Sequence, residues 1–407
     1  MMSEHQGSVR LAASIDLSGK VETLWFTCDR CYASGLASQT CDAFLLAILP
    51  LAMRLGLPIK VQGPVSRQLL TNLSDTWMTL ASKVMAGTRA VPIEAPQPIT
   101  RDWGGEGVVT GFSAGIDSFC TIIDQPTGAK VTHLLFNNVG SHGQTDQDAQ
   151  VFRDRLARLY PVARDVLGLP LIAVDSNLDA ILGMDFQLTH TIRNTAVAML
   201  FQSMAGRFLY SSTVHQSDAC HGFSDDIGYA DSYLLPLLST ETTQCLSSGG
   251  EYTRFEKTAI VAASPLTRTT LDICVDPTAA AGINCSKCWK CLRTQLTLEI
   301  IDTLREFDAV FDAEVHGRYR WLHLCDVLRS KDKLLAEIAT AIDSRDFEVP
   351  ASARLLAALV PNALIHEVLT GWTHANTKYP FGSASQTPRR LTGCLMRTLR
   401  YSARASA

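Results

Sequence analysis

Long hydrophobic runs are scarce in this 407-residue chain. The most apolar stretch, Ala43 to Met53, is closed by Arg54 and falls short of the roughly 20 residues that a bilayer crossing takes, so no membrane span is expected. The first residues, Met1-Met2-Ser3-Glu4-His5, lack a basic segment leading into an apolar one. No secretory signal is read there, and a cytoplasmic location with reduced thiols is expected. Internal repeats and low-complexity tracts are absent as well. With 46% hydrophobic and 19% charged residues, disorder as the main state is excluded, and the length suggests two or three domains. A net charge of -4 names no partner. One region lacks a sign altogether: from Val368 to Ala407 there is no Asp or Glu, against Lys378, Arg389, Arg390, Arg397, Arg400 and Arg404. Such a basic tail suits nucleic acid, an acidic partner or the acidic body of the chain, and equally a solvated end.

The pattern of elements gives a domain order. Val9, Leu11, Ala13, Ile15 and Leu17 alternate, Val21 to Thr27 is β-branched and aromatic, and Ser18-Gly19 between them suits a hairpin. With the apolar stretch from Asp42 to Met53, a strand at Ile59 to Val61 and a helix near Ser66 to Leu73, residues 1–100 read as a small α/β N-terminal domain, with a surface for a partner protein. Pro96, Pro98, Gly104 and Gly105 mark a linker over 95–106. Strands are expected at 107–111, 131–136, 171–174 and 207–211, alternating with helices through Phe152, Leu156 and Leu159 and through Ile192, Ala196 and Met199. That alternation predicts a doubly wound parallel sheet over 101–270, with ligands at the carboxyl ends of its strands. A cysteine-rich segment over 271–295 and a helical C-terminal region over 296–407 complete the chain.

Strand 107–111 runs directly into Ser113-Ala114-Gly115-Ile116-Asp117-Ser118 and an apolar helix start. A strand, a loop of small residues and a helix N-terminus make an anion site, because free backbone N–H groups and the helix dipole face the phosphates and Gly115 permits close approach. Asp117 would repel a polyphosphate unless a divalent cation lay between them, so it is read as a magnesium ligand, with Ser113 and Ser118 donating hydroxyls. Further on, Cys285-Ser-Lys-Cys288-Trp-Lys-Cys291, with Cys274 upstream, has the spacing of four thiolates converging on one tetrahedral ion. Zinc is the natural ion; an iron–sulfur cluster is the rival, although the usual Cys-Pro continuation is replaced by Leu292-Arg293.

The segment SAGIDS resembles the SGGxDS fingerprint of the PP-loop ATP pyrophosphatases, which cleave ATP between its α- and β-phosphates to make an adenylated substrate. Ala114 replaces the first glycine of that pattern; if positive φ is needed there, alanine costs about 1 kcal/mol. Combined with four cysteines, the chain resembles 7-cyano-7-deazaguanine synthase and its relatives from about Gly107 to Thr294. Arg193-Asn194 matches an Arg-Asn pair of that family, and Arg254-Phe-Glu256-Lys257 with Ser264-Pro265-Leu266 resembles its segment before the zinc cysteines. The resemblance implies ATP, Mg²⁺ and Zn²⁺ as cofactors, adenine near Phe136 and Asn137, and a substrate loop containing His215, Asp218 and Asp225. That loop reads STVHQSDACHGFSDD and departs from the family's Gly- and Asp-rich form. Together with the additional N- and C-terminal regions, this points to a specialised relative, as in natural-product or antiviral defence pathways.

The activity so implied is ATP-dependent adenylation of a carboxylate or amide, on a small molecule or a protein, with displacement of AMP by ammonia or an amine. Lys257 is expected to neutralise departing pyrophosphate or to pair with Glu256 or Glu251, and Arg193 to grip an α-phosphate or a carboxylate or to lie on a helix surface. Asn194, an amide on an apolar helix, needs a partner. His190, His215 and His221 are candidate acid–base groups or satisfied polar residues. Cys28, Cys31 and Cys41 read as buried small hydrophobes rather than a second metal site. Two other readings stay open: a sulfurtransferase acting on RNA or a small molecule through Cys120 or Cys220, and a zinc-braced nucleotide-binding interaction module without turnover.

Overall fold

The computed structural model describes residues 1–5, 7–125, 130–143, 145–275 and 283–374; the basic residues from Lys378 onward lie outside this set. The chain divides into two units, 1–273 and 274–407.

The first unit is built on one eight-stranded sheet: β1 (Met2–His5), β2 (Ser8–Leu17), β3 (Lys20–Asp29), β4 (Gly107–Gly111), β5 (His133–Asn138), β6 (Leu171–Ser176), β7 (Ala205–Ser211) and β8 (Gln244–Ser248). Its order is β1-β2-β3-β6-β5-β4-β7-β8. The last five strands of that order are parallel, as expected. From β4 the chain steps outward to β5 and β6, then returns to the other side of β4 for β7 and β8. The switch therefore falls between β4 and β7, and a ligand crevice belongs at the carboxyl ends there. Burial on both faces explains the unbroken apolar run Leu134-Leu135-Phe136 in β5.

Five helices matter to the site: α1 (Asp42–Leu55), α2 (Ile116–Ile123), α3 (Asp146–Pro161), α4 (His190–Leu200) and α5 (Arg254–Ala263). Helix α1 packs on α4, and α2 on α5. Val109, Leu135, Ile172, Val174 and Phe208 line the core shared with α1 and α4.

Residues 1–100 do not form a separate domain. The expected hairpin exists, with Ser18 and Gly19 both at positive φ in the two-residue turn that links Leu17 to Lys20. But β3 pairs antiparallel with β6, Thr27 opposite Asp175 and Phe26 opposite Ser176, and Asn177 clamps the junction by accepting from Trp25 N–H and donating to Thr23 C=O. Nor is 95–106 a free linker. Arg101 is fully buried and pairs with the fully buried Asp42 of α1 at 3.2 Å.

The second unit carries helices α6 (Trp289–Ile300), α7 (Ala313–Val327), α8 (Lys333–Ser344), α9 (Ala351–Leu359) and α10 (Asn362–His374). The cysteine segment and the helical region thus share one unit rather than forming two. No single helix among the described residues is long and apolar enough to cross a membrane; Ala351–Leu359 and Asn362–Thr373 pass that test only as a pair, bent by 116°.

Candidate functional site

The loop 113–118 emerges from β4 at the switch point and starts α2. Its Ala114 has φ +57, the left-handed conformation in which an alanine Cβ is strained. Neighbouring structure holds it there: Ala114 C=O accepts from Asp272 N–H at 2.9 Å, and the side chain is buried. Ala114→Gly is accordingly expected to stabilise the protein by about 1 kcal/mol, read as a raised denaturation midpoint with unchanged slope. Gly115 is the N-cap of α2 and offers no side-chain acceptor, so the first N–H groups of the helix are left for an external anion. Ser113 is exposed beside it, whereas Ser118 is buried and spends its hydroxyl on Gly115 C=O at 3.1 Å.

Asp117 sits in the first turn of α2 facing two cations. Arg254 Nη2 lies 2.8 Å from Oδ2, and Lys257 Nζ lies 3.5 Å from Oδ1. Both cations come from the first turn of α5, whose N-terminus is set by a reciprocal capping box between Thr253 and Glu256. Lys257 is 2% exposed and donates to Ser212 C=O, just past β7, at 2.6 Å. Burial pulls its ammonium below the usual lysine range, against the opposing pull of Asp117. Glu256 is committed to its cap and does not pair with Lys257. The cluster of two cations and one carboxylate keeps a positive balance at two helix N-termini, which suits a polyanion.

Mg²⁺ fits this site only in one form. A single carboxylate is too few ligands for a resident ion, and the described residues contain no other carboxylate cluster able to hold a metal. It suits an ion that arrives with a polyphosphate and keeps phosphate and water ligands.

Phe136 and Asn137 diverge across the sheet. Phe136 stacks on Phe152 of α3 at 5.0 Å between centroids, so its ring is a core element. Asn137 donates to Asn194 Oδ1 at 2.9 Å, which joins two of the expected site residues and supplies the partner Asn194 needs; Asn194 in turn donates to His190 C=O. Asn137 Oδ1 is buried without a partner.

Arg193 does not reach the crevice and is not a helix-surface residue. It is fully buried, and its guanidinium donates to Thr189 Oγ1, Val139 C=O, Asp179 and Met184 C=O. With Gly140 at φ +122 packed close to its Nη1, it fixes the backbone after β5 rather than gripping a ligand.

The loop after β7 rests on a buried polar network whose members lie too far apart in the chain for residue spacing to reveal it. His190 pairs with Tyr210 OH at 2.6 Å and with Asp226 at 2.9 Å, while Thr191 donates to Asp231 at 2.6 Å. Burial pushes the Asp231 carboxyl up to about 7, which His190 and Thr191 only partly oppose. A raised carboxyl means that the folded state holds the proton more tightly than the unfolded chain, so stability declines as pH rises from about 4 to about 7. Asp231→Asn, which keeps the acceptor for Thr191, is expected to flatten that decline and to gain a few kcal/mol near pH 8, measured by urea denaturation across pH. His215 instead caps a short turn through Ser217, His221 stacks on Tyr233, and Asp225 is exposed. Cys120 is buried under the loop and its thiol is pushed up to about 12 by burial, which disfavours the thiolate a sulfur carrier needs.

In the second unit the four expected cysteines converge. The ligand atoms of Cys274, Cys285, Cys288 and Cys291 all lie within 4.8 Å of one another, with Sγ–Sγ distances of 4.0 Å (274–288), 3.9 Å (285–291) and 3.4 Å (288–291). Four thiolates at about 2.3 Å from one tetrahedral ion would be about 3.8 Å apart, so the spacing fits a single ion such as zinc. A cluster with each thiolate on a separate iron needs wider spacing. The turn is shaped by Ser286 at φ +58, and Gln295 donates to Ser286 C=O and Cys291 C=O, bracing two ligand-bearing segments. Cys28, Cys31 and Cys41 form no such group; Cys28 is buried as expected, but Cys31 is exposed on the turn after β3 and Cys41 is half-buried.

No protein-family model, curated protein or solved structure matches the chain.

Proposed function

We propose that the first unit binds ATP with Mg²⁺ at the 113–118 loop and adenylates a carboxylate or amide, releasing pyrophosphate before ammonia or an amine displaces AMP. The observation that carries this reading is the convergence of the loop, Arg254 and Lys257 at the switch point of the parallel sheet. The resemblance of SAGIDS to the PP-loop fingerprint supplies the reaction class.

In this reading the N–H groups at the start of α2 receive a phosphate, and Lys257 and Arg254 carry the charge that grows on the leaving pyrophosphate. Asp117 aligns the two cations and would be the protein ligand to a Mg²⁺ ion arriving with the nucleotide. Mg²⁺ supplies charge neutralisation along the phosphates. Arg193, Asn194 and Asn137 position the strand end beside the nucleotide and take no part in bond making. The Asp226–His190–Tyr210 network shapes the wall formed by the loop after β7. The nucleophile enters from solvent; Cys120, buried with its thiol pushed up to about 12, is disfavoured as a sulfur carrier. Zinc in the second unit is structural, because four sulfurs leave it no open position.

Asp117→Ala is expected to lower Mg²⁺-dependent ATP turnover by about 100-fold or more while leaving the circular dichroism spectrum and metal content unchanged. Turnover that survives this substitution, with the fold intact, would remove Asp117 and the loop from the reaction.

A further inference from the structure

The second unit contains a cavity of about 950 Å³, walled by α6, α7, α8 and α10, that no part of the adenylation reading uses. Its size is at the upper end of what small-molecule sites occupy. His323 of α7, in its wall, is 3% exposed, and neither ring nitrogen has a hydrogen-bond partner. Burial holds this imidazole neutral, its pKa pulled down to about 4, so it offers one donor and one acceptor. A buried imidazole without partners is costly to leave so, and here it borders the cavity.

The rest of the wall gives the character of the ligand. The acids are already committed: Asp326 accepts from Asn362 Nδ2 and pairs with His366, and Asp332 caps α8 through Leu335 N–H. Arg293, Arg329 and Lys331 outnumber these two carboxylates in the wall, and Arg329 donates to Ala357 C=O and Ala358 C=O. At the rim Trp289 is 49% exposed, with the Arg293 guanidinium and the Lys290 ammonium over its ring at 5.1 and 5.4 Å from the centroid, so aromatic surface and positive charge meet there. Leu292, Leu335 and Leu369 provide apolar surface.

We propose that this cavity is a binding site for an aromatic small-molecule anion, its ring system on the apolar wall and Trp289, its acidic group toward the cationic side, and a polar edge on His323. The site shares no residue with the nucleotide loop, so its failure would leave the adenylation reading untouched.

The probe is 8-anilinonaphthalene-1-sulfonate, with uncharged N-phenyl-1-naphthylamine as its counterpart, titrated into the full chain as purified and followed by fluorescence. One saturable site is expected, with the uncharged compound weaker by about tenfold. Leu369→Trp, which puts a bulky ring into the apolar part of the cavity, should weaken binding of both probes. His323→Leu should weaken it by about tenfold without lowering the melting temperature, since it removes an unpartnered polar group. Because Leu369→Trp risks misfolding, His323→Leu, which replaces an unpartnered group with an apolar one, carries the decision if the former fails to fold. Unsaturable binding, equal affinity for the two probes, or affinity unchanged in a folded variant would overturn the proposal and leave a water-filled cavity.

Discussion

Replacing Cys288 by serine is expected to strip the metal from the second unit and to unfold it. A closed four-thiolate site contributes on the order of 10 kcal/mol to folding at neutral pH, comparable with the whole stability of an ordinary domain. Cys288 is central among the four, with Sγ 4.0 Å from that of Cys274 and 3.4 Å from that of Cys291, and it is also the N-cap residue of α6. Helix α6 in turn buries Leu292, Leu296 and Leu298, so a metal held by the four cysteines would orient the helix around which this unit packs. Elemental analysis should show one zinc per chain in the wild type and none in Cys288→Ser. Hydrogen exchange should show loss of protection in α6 and α7 with the sheet of the first unit still protected. Full protection in a metal-free variant would make the cysteine cluster dispensable.

The second large effect is expected at Arg101. Burial pushes the Asp42 carboxyl up and pulls the Arg101 guanidinium down, so desolvation outweighs their mutual attraction even at 3.2 Å. Such a pair adds little net stability, yet deleting one member leaves the other charge buried and alone, at a cost of about 3–5 kcal/mol. Arg101→Met should therefore lower the urea midpoint steeply. Asp42 also accepts from Ser66 N–H and Gln202 Nε2, which soften but do not replace the lost cation. A change below about 1 kcal/mol would mean that Asp42 is neutral in the folded protein.

The elements that sequence pattern reveals best are those whose cause is local. The β4 strand, the Ser18-Gly19 turn and the four cysteines depend on residues near in the chain, and the structure holds them where the pattern puts them. What the pattern hides depends on pairing at long range. Strand β8, Gln-Cys-Leu-Ser-Ser, has no β-branched residue and lies at the sheet edge, so nothing in its composition marks it. The joining of β3 to β6 spans about 150 residues and is sealed by one asparagine, which a scan for domain boundaries cannot register.

The site shows the same division. Asp117 and Lys257 are visible as charged residues in motif-like segments. Arg254, the closer partner of Asp117, lies within the Arg254-Phe-Glu256-Lys257 match yet receives no role from sequence alone, because its part is defined by an ion pair across two helices. Arg193 looks like a ligand-binding arginine only until its four protein acceptors are known. His190, Tyr210 and Asp226 come from three separate elements and acquire meaning as a group only in the fold.

The most direct test of the central claim is the identity of the nucleotide products. The purified protein is incubated with ATP, Mg²⁺ and a cell extract as the source of acceptor, and the phosphates are separated by anion-exchange chromatography. AMP and pyrophosphate in equal amounts are expected, since cleavage between the α- and β-phosphates is what the loop, Arg254 and Lys257 are proposed to promote. ADP with inorganic phosphate, or no turnover despite bound ATP, would contradict the adenylation reading.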